Sequence, residues 1–145
     1  MKNIPLHIAA AFFFLLTLQA NAQVVINEYS ASNLSQFIDN HSDYEDWIVL
    51  YNIGTTAVNV GGYHLSDDST LATKYTIPAG TTIPANGFLR FWCSGRNNSS
   101  GLNYHTSFRI TQTKNNGEDI VFSDPAGVIL DGVDGFDVSN ASLYL

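Results

Sequence analysis

The sequence predicts an all-β domain, either a β-sandwich of immunoglobulin-like topology or a small barrel. Three observations carry this. Beyond Gln23, short apolar or alternating runs recur, each bounded by Gly, Pro, Asn or Asp. No stretch there keeps a helical period. Trp47, Tyr51, Tyr63, Tyr75, Phe88, Phe91, Trp92, Phe108 and Phe122 all fall inside the runs, and each ring can bury roughly 150–250 Å². A dry aromatic core is their ordinary use. A stacking platform for sugars or bases would need several of them on one outward face.

"VVINEY" begins the series. "DWIVLYN" places Trp47, Val49 and Tyr51 on one face and Ile48 and Leu50 on the other, the pattern of a central strand covered on both sides. "AVNV" alternates, Gly61-Gly62 turns the chain, and "YHL" sets Tyr63 and Leu65 opposite His64. "KYTI" meets Pro78-Ala79-Gly80, "TTI" meets "PANG", and "FLRFWC" meets "SGRNNSSG", so every short strand has its own breaker. "SFRITQT" alternates Phe108 and Ile110 against Arg109 and Thr111, and "NNG" offers a hairpin turn into "EDIVFS". Asp124-Pro125-Ala126-Gly127 fits a type I turn position by position, and "VIL" follows as another strand. The total is about eight strands, enough for one sandwich.

The first 22 residues read differently. Lys2, an apolar run from Ile8 to Leu18 and then Ala20-Asn21-Ala22 form a secretory signal peptide with cleavage after Ala22. The run is well short of the roughly 20 residues a membrane-spanning helix needs, so no membrane span is expected after cleavage. Residues 23–145 then make one domain. The ending "SNASLYL" leaves open its continuation into a longer exported protein, with the domain truncated at its C-terminal side. Lys2 leaves with the leader, so five of the six Lys and Arg face thirteen Asp and Glu. Such acidity repels a phosphate backbone and excludes nucleic acid as a partner. Cys93 is the only cysteine. It can form no intrachain disulfide, and within a core strand it reads as a small hydrophobe.

"VVINEYSASN", "DWIVLYNIGTTAVNVGGYHLSDD", "YTIPAGTTIPANGFLRFWCSG", "HTSFRI" and "NGEDIVFSDPAGVILD" together resemble the lamin tail domain, as found in secreted bacterial proteins. The similarity spans Val24 to about Asp131 and lies in the order and spacing of the segments more than in any one motif. It implies an immunoglobulin-like sandwich. Where the family usually carries an acid, in "DWIELYN", this chain has Val49. Nuclear members are associated with nucleic acid and chromatin, a use that the charge balance here opposes. Bacterial relatives often sit beside catalytic or C-terminal sorting domains.

Asp39, Asp43, Glu45 and Asp46 lie in "DNHSDYED", with Asn40 and Ser42 as further oxygens. Calcium takes about six to eight oxygen ligands, and such a loop can supply them, although the glycine and closing glutamate of an EF-hand are missing. The plainer reading is a solvated strand shoulder in which Asp46 accepts backbone hydrogen bonds. Asp67-Asp68 and Asp131, Asp134 and Asp137 mark further acidic turns that need no function. Catalysis has little to build on: His41, His64 and His105 stand in no metal or nucleophile motif, and no enzyme activity or cofactor beyond calcium is expected. Arg96 and Tyr104, in "SGRNNSSGLNY", are the expected partner-binding anchors, since Arg and Tyr in loops often dominate interfaces. The expectation is a secreted or cell-surface binding, anchoring or spacer module acting on a protein or glycan of the cell envelope. A calcium-stabilised adhesion module and an accessory domain of an exported hydrolase are the alternatives.

Overall fold

The computed structural model describes residues 23–111 and 118–136. Its strands are β1 (Val24–Ser30), β2 (Trp47–Asn52), β3 (Val58–Asn59), β4 (His64–Ser66), β5 (Tyr75–Thr76), β6 (Thr82–Ile83), β7 (Phe88–Trp92), β8 (Asn98–Ser100), β9 (Asn103–His105), β10 (Glu118–Ser123) and β11 (Ile129–Phe136). They form a five-stranded sheet in the order β1-β2-β7-β9-β8 and a four-stranded sheet in the order β11-β10-β4-β5, with β3 and β6 paired separately. All pairings are antiparallel except that of β7 with β9. The two larger sheets enclose one core, as an immunoglobulin-like sandwich requires.

Alternation along the strands decides what enters that core. Ile48 and Leu50 of β2, Phe91 of β7, Leu65 of β4 and Ile120 and Phe122 of β10 are fully buried in one cluster. Tyr75 and Phe91 meet edge to face across it, with ring centroids 6.4 Å apart, and Cys93 lies buried in the same cluster. Ladder pairing places Trp47 opposite Trp92, Val49 opposite Arg90 and Tyr51 opposite Phe88. These side chains occupy the outer face of the five-stranded sheet, where Trp47, Val49 and Trp92 make a second buried cluster. The aromatic residues are thus divided between a core and an outward face.

The turns follow their chemistry. Gly62 takes φ +87° at the predicted Gly61-Gly62 turn, and a Cβ on Gly61 would come within 2.7 Å of the Gly80 backbone nitrogen, so the pair cannot be replaced without moving the chain. Gly127 N–H donates to the Asp124 carbonyl (2.9 Å), and Asp124 Oδ1 accepts from the backbone of Ala126 and Val128. Two expectations are corrected. "SFRITQT" is no strand over its described part: Arg109 alone bridges to Ser94, while Phe108 and Ile110 anchor an extended segment in the core. "SGRNNSSGLNY" is no open loop, because β8 and β9 pair within it as a hairpin. The expected "NNG" turn and Asp137 lie outside the described residues, as does the predicted signal peptide.

Candidate functional site

The connection from β1 to β2, residues 31–46, crosses the outer face of the five-stranded sheet. Its polar groups hold it there. The Asn33 carboxamide donates to the carbonyls of Phe37 (2.6 Å) and Glu45 (2.9 Å) while its oxygen accepts from Gln36 and Phe37 N–H. Asp46 Oδ1 accepts the Asn33 N–H at 2.8 Å. Of the acids singled out in the sequence, Asp46 therefore serves the backbone of its own loop.

Asp39, Asp43 and Glu45 do converge, with one oxygen of each within 4.8 Å of the others. Arg96 already serves all three. Its Nη1 donates to Asp39 Oδ2 (3.2 Å) and Glu45 Oε1 (3.0 Å), its Nη2 donates to Asp43 Oδ2, and Arg109 Nη1 takes the other Glu45 oxygen at 2.7 Å. Asp39 is the hub of the loop: Oδ1 accepts from His41 and Asp43 N–H while Oδ2 faces Arg96. A calcium ion could use these oxygens only by displacing the guanidinium, because both cations need the same lone pairs. The expected metal ligands and an expected partner anchor are thus joined to each other. Tyr104, the other expected anchor, is buried in β9 with its ring 5.3 Å from that of Phe91.

Beneath this cluster His105 is fully buried. Its Nε2 donates to Asn40 Oδ1 (2.7 Å), and Nδ1 accepts from Ser94 Oγ (2.9 Å). Burial holds its pKa below the ordinary 6.5, against the pull of Asp39 and Glu45 and with the help of His41 and Arg96. The hydroxyl–imidazole pair resembles half of a catalytic triad, but Ser94 is 1% exposed and also accepts from Arg96 N–H. With no route for a substrate to its hydroxyl, the pair orders the loop.

Further along the same face the surface opens. Arg90 lies over three rings, with its guanidinium carbon 4.2 Å from the centroid of Phe37, 5.1 Å from Trp47 and 5.2 Å from Trp92. Phe88 is 58% exposed yet stacks on Tyr51, centroids 4.5 Å apart. Asn27, Glu28, Val49, Phe88 and Arg90 line an open cleft of about 440 Å³. Sequence reasoning passed over Asn27, Glu28 and Arg90. "FLRFWC" reads as a core strand, and the register that sets Glu28 and Arg90 on either side of Val49 needs the folded sheet.

A comparison with protein families agrees with the sandwich: the lamin tail domain model matches residues 17–137. The chain belongs to the lamin tail domain family. Lamin tail domains are immunoglobulin-like modules without an enzymatic activity of their own, which accords with a binding or accessory role. No curated protein matches the chain. In this lamin tail domain the β1–β2 loop and the cleft beside it carry five exposed large apolar side chains, Leu34, Phe37, Ile38, Tyr44 and Phe88. No helix among the described residues is long and apolar enough to cross a membrane.

Proposed function

We propose that the chain is a secreted, non-catalytic binding or anchoring module that engages a protein or glycan of the cell envelope through the outer face of its five-stranded sheet. One observation carries this: large apolar side chains stand exposed on a loop that is otherwise tightly tied down. Leu34 is 80% exposed, Ile38 53%, Tyr44 47% and Phe37 42%, all between anchor points at Asn33 and at the Arg96 cluster. Apolar groups on a pre-ordered loop lose little conformational entropy when a partner covers them, and the neighbouring Phe88 extends the patch. The strong acid excess argues against nucleic acid as that partner.

The test is co-sedimentation of the labelled domain with envelope preparations from the producing cells. Leu34→Ser with Ile38→Ser should lower the bound fraction at least fivefold without changing the melting temperature. Equal binding by the double variant would reject the face, and absence of the mature chain from envelope and medium would reject export.

A further inference from the structure

The cleft on the outer face contains a bulge that gives it its lining. Register along β1 and β2 shifts between Ile26 and Glu28. In a regular strand Asn27 and Glu28 would point to opposite faces of the sheet. Here both are exposed and both line the same cleft, as a bulge that re-aims a side chain allows. The Ile26 N–H donates to Asp131 Oδ2 at 2.7 Å, so a carboxylate from the opposite sheet fixes the bulge in place.

Arg90 supplies the second peculiarity. Among the described residues, Lys74 pairs with Asp67, Arg96 with Asp39, Asp43 and Glu45, and Arg109 with Glu45. Arg90 has no carboxylate partner there, and its Nε is buried without a hydrogen bond. In a chain of formal charge −7 an unpaired guanidinium is conspicuous. Three aromatic rings lie against it, and it lines the cleft, where donors other than the buried Nε can meet an outside acceptor.

We propose that the cleft is a subsite for an acidic pyranose, a uronic-acid unit of a polysaccharide. The apolar face of the sugar lies on Phe88, its carboxylate meets Arg90, and its hydroxyls reach Asn27 and Glu28. This rests on the reading of the outer face as the binding face and names the ligand class. Spacing supports it. Phe88 and Arg90 are two positions apart on one strand, roughly 6.8 Å, a gap that the exocyclic carboxylate of a stacked uronic acid bridges. Glu28 lies across Val49 on the next strand, roughly 10 Å from Arg90 between backbones. It accepts from hydroxyls and repels a carboxylate, so the sugar binds in one direction. A neutral hexose would leave Arg90 unpaired. A phosphate chain would offer Phe88 no apolar face to stack on.

The test titrates the purified full chain with a panel of uronic-acid trisaccharides (galacturonate, glucuronate and mannuronate) and their neutral hexose counterparts, by calorimetry and amide chemical shifts. At least one acidic trisaccharide should bind saturably, tenfold or more tighter than its neutral counterpart, with shifts centred on Phe88 and Asn27. Phe88→Ala and Arg90→Gln should each weaken it at least tenfold. Asp131→Ala, which frees the bulge, should weaken it about threefold. Because Arg90→Gln also disturbs packed rings, Phe88→Ala, at an exposed position, decides. The proposal is overturned if no acidic trisaccharide binds, if neutral ones bind equally well, or if Phe88→Ala binds like the parent. Should that happen while envelope binding stays sensitive to Leu34→Ser with Ile38→Ser, the outer face stands with a protein partner. Loss of both results would sink both readings.

Discussion

Replacing Arg96 with alanine isolates the strongest electrostatic feature of the molecule. The side chain of Arg96 is 24% exposed, and its partners range from Asp39 at 0% through Glu45 at 10% to Asp43 at 54%. Exposed pairs contribute under about 1 kcal/mol, whereas removing one member of a buried pair costs about 3–5 kcal/mol through the charge left behind. Arg109 still serves Glu45 and Asp43 is open to water, so Asp39 is the carboxylate that is stranded. Discounting for the exposed share gives a loss of about 2–3 kcal/mol. For a domain of this size that lowers the melting temperature by on the order of ten degrees. The variant also releases Asp39 Oδ2, Asp43 Oδ2 and Glu45 Oε1 from the guanidinium, Arg109 keeping the other Glu45 oxygen, so millimolar calcium should recover part of the loss while leaving the parent unmoved; calcium at about a hundred times its dissociation constant would return roughly 2.7 kcal/mol. Thermal unfolding by circular dichroism, with EDTA and then with calcium, reads both effects. A melting temperature within two degrees of the parent would refute the assigned energetics. A parent that calcium stabilises would show that the ion outcompetes Arg96 for the cluster.

Three other perturbations test separate parts of the account. The Tyr75 hydroxyl is buried without a hydrogen-bond partner among the described residues, and burial, reinforced by Tyr104, pushes its pKa up to about 12. The unfolded chain loses that proton from about pH 10, so stability is present below pH 10 and falls as pH rises from there toward 12. Tyr75→Phe should flatten that loss and raise stability near neutrality by about 1 kcal/mol, read from urea midpoints. His105 has the opposite sign: its folded pKa is depressed, so the unfolded chain takes up a proton first and stability falls as pH drops through about 6.5. Urea midpoints at pH 7.5, 6.5 and 5.5 should show this decline in the parent, and a reduced slope in His105→Asn. Val49→Glu sets a carboxylate directly opposite Arg90 across the β2–β7 pair; it should remove uronate binding at least tenfold, and unchanged binding would show that Arg90 is not the anion contact.

The course of the strands was legible because their side-chain period is two and their breakers are local: "DWIVLYN" declares two covered faces, and Asp124 to Gly127 declare a turn, without reference to the rest of the chain. Arginine carries no such mark. Arg96 stands in a Gly, Asn and Ser stretch that reads as an open loop, yet it is bound by three carboxylates more than fifty positions earlier in the chain. Arg90 stands in an apolar strand that reads as core, yet it lines the outer cleft with no carboxylate partner among the described residues. Whether a guanidinium is satisfied from within depends on which acids the register and the long β1–β2 connection bring to it, and both are tertiary facts. The acids of "DNHSDYED" were visible for the same local reason as the strands, but their partner was not, so they read as a place for an ion. Acidic convergence and cation supply must therefore be judged together. Here the same outer face holds one arginine that closes its acid cluster and another that is left to bind outward.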